Sequence, residues 1–182
     1  MYDEFARRFA ERVGTIKVGS GFEPDVQQGP LINVAAVTKV EEHVADAISK
    51  GGQILVGGKR HSLGATFFEP TVIANAADNM LIAHEETFGP VAALFRFKEE
   101  QEAIDKANAT EFGLASYFYT RNLSRIFRVS RALESGMVGV NAGLVTTEVA
   151  PFGGVKQSGL GSEGSSHGIE EYLHLKYINL GA

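Results

Sequence analysis

The chain of 182 residues contains no cysteine. Disulfides, thiolate metal sites and thiol nucleophiles are therefore excluded within it. It has no run of about 20 apolar residues, the length a membrane-spanning helix needs. Its opening, Met1-Tyr2-Asp3-Glu4-Phe5, has no basic region leading into an apolar one, so it does not read as a secretory leader. The expected location is the cytoplasm, or an organelle matrix if a targeting segment lies outside the chain. Basic residues are too few and too scattered for a nucleic-acid footprint: 17 Lys and Arg stand against 22 Asp and Glu, a net charge of −5. The histidines at 43, 61, 84, 167 and 174 show no ligand spacing. His84-Glu85-Glu86 fails the H-E-x-x-H pattern because Phe88 stands where the second His should be, so no metal is assigned. Internal repeats and low-complexity tracts are also missing. The remainder, 44% hydrophobic and 21% charged, suits an ordinary globular domain with a real core.

Periodicity predicts an amphipathic helix over Tyr2–Val13, with Phe5, Phe9 and Val13 four residues apart. Thr15–Val18 is a short strand candidate, followed by a Gly, Pro and Gln-rich loop. Asn33 should cap a helix reaching Lys50, with Val37, Val40, Val44, Ala47 and Ile48 as its stripe and Gly51-Gly52 as its stop. Strands are expected at Gln53–Val56, Phe67–Ala74, Val91–Phe97, Leu114–Thr120 and Met137–Asn141. Asp78–Ala83 suggests a helical turn, and helices are expected at Glu99–Ala109 and from Asn122 to about Ser135. Alternating strands and helices imply right-handed crossovers and an α/β fold with a mainly parallel, helix-covered sheet. Residues 142–166 form a long glycine-rich stretch, and loops of that length are usually functional. Tyr172–Leu180 alternates as a terminal strand able to pair with a partner sheet.

Two motif matches are decoys. Gly159-Leu160-Gly161-Ser162-Glu163-Gly164 has the G-x-G-x-x-G spacing but does not follow a buried strand. Gly164-Ser165-Ser166-His167-Gly168 has the G-x-S-x-G spacing of a nucleophile elbow, also without its strand. Glu170, Glu171 and His174 lie too close to Ser166 to come from separate loops.

Two other strings are more informative. Glu85-Glu86-Thr87-Phe88-Gly89-Pro90 sets two acids and an aromatic before a buried strand. Its bland reading is a solvated turn with Phe88 in the core. Its functional reading is a carboxylate on a sugar diol with a ring packed on a planar heterocycle. Pro151-Phe152-Gly153-Gly154-Val155-Lys156-Gln157-Ser158-Gly159 lets a loop approach a ligand or another backbone closely; the bland reading is a flexible surface loop.

These strings, joined in order by Gly29-Pro30-Leu31-Ile32, Phe68-Glu69-Pro70-Thr71, Glu111-Phe112-Gly113-Leu114-Ala115 and Gly136-Met137-Val138-Gly139-Val140-Asn141, resemble the aldehyde dehydrogenase superfamily over essentially the whole chain. Glu148-Val149-Ala150, residues 159–165, Gly168-Ile169-Glu170-Glu171-Tyr172 and Leu175-Lys176-Tyr177 look like its succinate-semialdehyde branch. Dehydrogenases of glutarate semialdehyde and related ω-carboxy aldehydes are similar enough to compete.

The resemblance implies a cysteine nucleophile, hydride transfer to NAD or NADP, and a glutamate that activates water for thioester hydrolysis. It also implies an oxyanion site built from backbone N–H groups and an asparagine. It places all three side chains before residue 1. No catalytic residue is therefore assigned, and the chain alone is expected to be inactive.

By resemblance, Glu86 binds the nicotinamide-ribose hydroxyls and Phe88 packs at the nicotinamide end. Phe152 walls the aldehyde pocket. Thr146 stands where the branch usually places a serine for the substrate's distal carboxylate. The implied organisation is a C-terminal, catalytic-domain fragment: 1–160 as part of that domain and 161–182 as an oligomerisation arm joining like subunits. Neither membrane nor nucleic acid is an expected partner. A non-catalytic binding or assembly module of the same fold, and a hydrolase using Ser166, are the rival readings.

Overall fold

The computed structural model describes residues 1–181. They divide into two compact units, Met1–Arg96 and Phe97 onward.

The first unit contains α1 (Tyr2–Val13), α2 (Val34–Ser49), β1 (Gln53–Val56), β2 (Thr71–Ala76) and β3 (Val91–Phe95). Helix α2 starts where Asn33, in extended conformation, accepts the Ala36 N–H at 2.9 Å. Such caps satisfy one of the amides that a helix start leaves unpaired. Val37, Val40, Val44 and Ala47 form its buried stripe and pack with Phe68, Ile73 and Met80 in one core cluster. The helix ends at Gly51, whose φ of +93° favours a residue without a Cβ.

Strand β2 is central in the order β1-β2-β3, antiparallel to β1 and parallel to β3. Thr71 to Ala74 are all buried, as befits a strand covered on both faces. Helix α1 packs on β1 and β2. The Tyr2 hydroxyl ties it down by donating to Leu94 O at 2.9 Å and accepting from Asn75 N at 2.8 Å. The Arg96 guanidinium lies 3.9 Å over the Tyr2 ring, within cation–π range.

The second unit contains α3 (Glu100–Asn108), β4 (Phe112–Gly113), β5 (Ala115–Phe118), α4 (Leu123–Ala132), β6 (Met137–Val140) and β7 (Val155–Lys156). The β5–α4–β6 run is the expected crossover, with its strands parallel. Asn122 caps α4 by accepting the Arg125 N–H at 2.9 Å. β4 pairs antiparallel with β7, which arises inside the glycine-rich stretch.

Four expectations need correction. The sheets are mixed, two parallel pairs and two antiparallel ones, because β1 returns on β2 through a loop and β7 folds back on β4. Thr15–Val18 makes only an isolated bridge, Val18 to Gln28. The strand expected from Phe67 begins at Thr71, since Pro70 has no N–H to donate and Phe68 bridges only Arg60. Tyr172–Leu180 forms no strand: Tyr172 closes a 3-10 turn and residues 173–181 carry no regular structure. Strand hydrogen bonds need a neighbouring strand, and alternation of side chains supplies none. Among the described residues no helix is long and apolar enough to cross a membrane.

Candidate functional site

The segment entering β3 is anchored unevenly. The Glu85 N–H donates to Leu81 O at 2.9 Å, and the Gly89 N–H to Thr87 O at 2.9 Å. The Glu85 carboxylate lies 3.3 Å from Lys39 Nζ and 3.4 Å from His43 Nε2. Lys39 first and His43 second hold this carboxyl below the usual carboxylate range. The Thr87 hydroxyl sits 2.6 Å from His43 Nδ1. Between these two anchored residues Glu86 is exposed, and its carboxylate has no hydrogen-bond or ion-pair partner among the described residues. Phe88 is 78% exposed.

The structure thus corrects the bland reading at one point: the Phe88 ring is in solvent, and the core beneath the turn is supplied by α2. His43 is 1% exposed, buried on the apolar stripe of α2. Its ring meets Thr87 and Glu85, a contact across more than 40 positions that sequence reasoning did not reach. Its only local signal was its place on the apolar stripe, between Val40 and Val44.

In the second unit, Phe152 is half-buried and pairs in backbone with Glu163 through bonds of 2.8 and 2.7 Å. It lines a cleft of about 650 Å³ together with Ser158, Leu160, Glu163, Ile169 and Tyr172. Most of the Pro151–Gly159 string does structural work. Lys156 places its ammonium on Asn108 O at 2.9 Å, Thr110 O at 3.2 Å and Glu134 Oε2 at 2.6 Å. A cation there complements the carbonyl end of α3. Ser158 Oγ accepts the Gly113 N–H at 3.0 Å.

The glycines serve the same packing. A Cβ on Gly136 would lie 2.9 Å from both Gly153 C and Gly154 Cα, and one on Gly153 would strike the Gly161 carbonyl. The loop therefore approaches another backbone, one of the two uses expected of it. Thr146 is exposed, and its hydroxyl has no hydrogen-bond partner among the described residues. Glu86 and Phe88 belong to the first unit, and Thr146 and Phe152 to the second.

Both decoys lack their context here as well. Among the described residues no α-helix opens after Gly164, and the His167 ring nitrogen faces Glu170 at 3.3 Å, leaving Ser166 no oriented base. Among the described residues no group of three or more His, Asp or Glu could hold a metal ion.

The aldehyde dehydrogenase family model matches residues 1–178. The chain belongs to that family. It is 56% identical over its whole length to a glutarate-semialdehyde dehydrogenase of Pseudomonas aeruginosa, of which it covers 38%. It is 54% identical to the succinate-semialdehyde dehydrogenase [NADP(+)] of Escherichia coli strain K12, again covering 38% of that protein. A crystal structure of succinate-semialdehyde dehydrogenase from Burkholderia pseudomallei superposes with a TM-score of 0.95 at 58% identity, over 97% of this chain and 37% of that one. The chain thus spans little more than a third of the length of these relatives.

Proposed function

We propose that the chain is the catalytic-domain, C-terminal portion of an NAD- or NADP-dependent dehydrogenase that oxidises succinate semialdehyde to succinate. A related ω-carboxy aldehyde such as glutarate semialdehyde is the second candidate, favoured by the name of the Pseudomonas relative. The observation that carries the reading is the turn at 85–88: a partnerless carboxylate at Glu86 beside an exposed ring at Phe88, with both flanking side chains of Glu86 anchored. A carboxylate accepts from the two hydroxyls of a ribose, and an aromatic face packs on a planar ring. The residues present therefore fit the nicotinamide end of a dinucleotide. When bound, that group supplies the hydride acceptor.

In this reading Phe152 walls the aldehyde side, and the free Thr146 hydroxyl donates to the substrate's distal carboxylate. The threonine methyl, where a serine is usual, narrows that end of the pocket. Residues 1–160 belong to the catalytic domain. Residues 161–182 are its arm, whose Tyr172–Leu180 stretch becomes a strand when a neighbouring subunit offers an edge. The parent enzyme works in the cytoplasm, without membrane or nucleic acid as partner.

The chain has no thiol to attack an aldehyde. Incubated alone with succinate semialdehyde and NAD(P)+, it should show no turnover above buffer. In the parent enzyme, Glu86→Ala and Phe88→Ala should each raise the cofactor KM by about tenfold or more, the scale of a lost charge-assisted bond or ring contact. An unchanged cofactor KM in both variants would sink the assignment. A cysteine encoded just before position 1 of this chain in the parent would support its place in the catalytic domain, and the lack of one would count against it.

A further inference from the structure

We propose that His43 is the positioning residue for the cofactor-facing turn, gripping the residues on both sides of Glu86 and so setting the parent enzyme's affinity for the dinucleotide. The inference rests on the reading of Glu86 and Phe88 given above.

A buried histidine on the apolar face of a helix is ordinarily a satisfied core residue. Three observations take His43 further. First, both ring nitrogens are committed to one short segment far away in sequence: Nδ1 to Thr87 at 2.6 Å and Nε2 to Glu85 at 3.4 Å. One neutral tautomer meets both demands, with Nε2–H donating to the carboxylate and Nδ1 accepting the threonine O–H. Second, the backbone between those partners is otherwise loose. Among the described residues the amide N–H groups of Glu86, Thr87 and Phe88 have no protein acceptor, whereas those of Glu85 and Gly89 do. Side-chain anchoring therefore carries the restraint that secondary structure supplies elsewhere. Third, the rest of the same helix face forms the bed of the turn. Lys39 binds Glu85, and a Cβ on Gly89 would strike a Val40 methyl. Lys39, Val40 and His43 lie at the three- and four-residue spacings that share a helix face.

Holding residues 85 and 87 limits the rotations open to residue 86, and the ring at 88 follows. A carboxylate pre-set for a diol binds it with less ordering cost than one that must be ordered on binding. His43 touches neither cofactor nor substrate in this scheme, so its effect should appear in cofactor affinity and not in the chemical step.

The test uses the parent enzyme with Thr87→Val, which replaces the hydroxyl by a methyl of similar size and leaves the residues of α2 unchanged. The cofactor KM should rise about fivefold, the size of one modest net hydrogen bond. The aldehyde KM and the kcat at saturating cofactor should stay within about twofold. Thr87→Ser should restore the original value, because it returns the donor to Nδ1. His43→Gln should also raise the cofactor KM, and the double variant should fall short of the product of the two single effects, as residues sharing one bond do. If Glu86→Ala raises the cofactor KM while Thr87→Val leaves it unchanged, the positioning role is wrong and the site reading stands. If Thr87→Val raises both KM values equally, the effect is general loosening and the proposal also fails. If Glu86→Ala has no effect, the site reading falls first and takes this inference with it.

Discussion

Replacing Gly136 by alanine isolates the close packing beneath the glycine-rich loop. Gly136 immediately precedes β6, and its N–H donates to Gly113 O at 3.0 Å, with Met137 N to Leu114 O at 3.1 Å just after it. Its φ is not in the left-handed region, so alanine is conformationally acceptable there and the effect is steric. The new methyl would strike the Gly153 carbonyl oxygen and sit 2.9 Å from Gly153 C and from Gly154 Cα. Carbon atoms pack best at about 3.5–4.0 Å, so the two carbon contacts alone demand a gap of roughly 0.6–1.1 Å, and the carbonyl oxygen demands more. Neither side yields easily, because the opposing atoms are backbone and Gly153 is itself backed by Gly161.

Overpacking usually costs about 1–3 kcal/mol, and a backbone-on-backbone clash belongs in the upper half of that range. For a domain of this length about 2–3 kcal/mol corresponds to a fall of roughly 4–12 °C in melting temperature. Gly143→Ala is the matched control, since a Cβ there meets nothing within 4 Å. It should be neutral, or stabilising by about 0.4–1 kcal/mol through the unfolded chain. Thermal melts of both variants beside the unchanged protein measure the difference. Melting of Gly136→Ala within about 1 °C of Gly143→Ala would refute the packing argument.

Other outcomes follow from single residues. Glu100 accepts from Arg128 Nε at 2.7 Å and Arg125 Nε at 2.5 Å, and the Arg128 and Arg125 guanidiniums hold its carboxyl down from 4.5 to about 2. The folded value lies below the unfolded one, so this stabilisation is complete above pH 4.5 and is lost as pH falls towards 2. Glu100→Gln should therefore melt lower than the unchanged protein at pH 7. The gap should close across that acidic window and shrink in high salt, which melts over a pH and salt series will show. Asn33→Ala should cost about 1 kcal/mol by removing the α2 cap, and Asn33→Ser should be nearly neutral. Amide exchange in the first turn of α2 reads this out directly.

Local signals were legible where one short stretch decides the outcome. Tyr2–Val13 and Gln53–Val56 occur with the expected bounds. The Asn33 and Asn122 caps and the stop at Gly51 are equally local, since a helix end is built from residues three or four apart. Pairing was not legible. Val155–Lys156 is too short to announce itself as a strand, and it exists because Phe112 and Gly113 lie opposite. The antiparallel return of β1 on β2 contradicts a parallel-sheet expectation for the same reason. The turn at 85–90 was visible as a string, but which of its acids is anchored and which is free depends on α2, more than 40 positions away. Lys156 and Ser158 look like site residues in a one-dimensional motif, yet they serve α3 and β4.

The last residues have a practical side. Leu175 and Leu180 are 105% and 90% exposed, and Tyr177 and Ile178 are mostly exposed too. Clustered oily side chains in water seek any surface that will take them. A polypeptide carrying this exposed stretch should adsorb to vessel walls when dilute and associate with its own copies when concentrated. Titrations with it call for a carrier protein and a dilution series before any readout is believed.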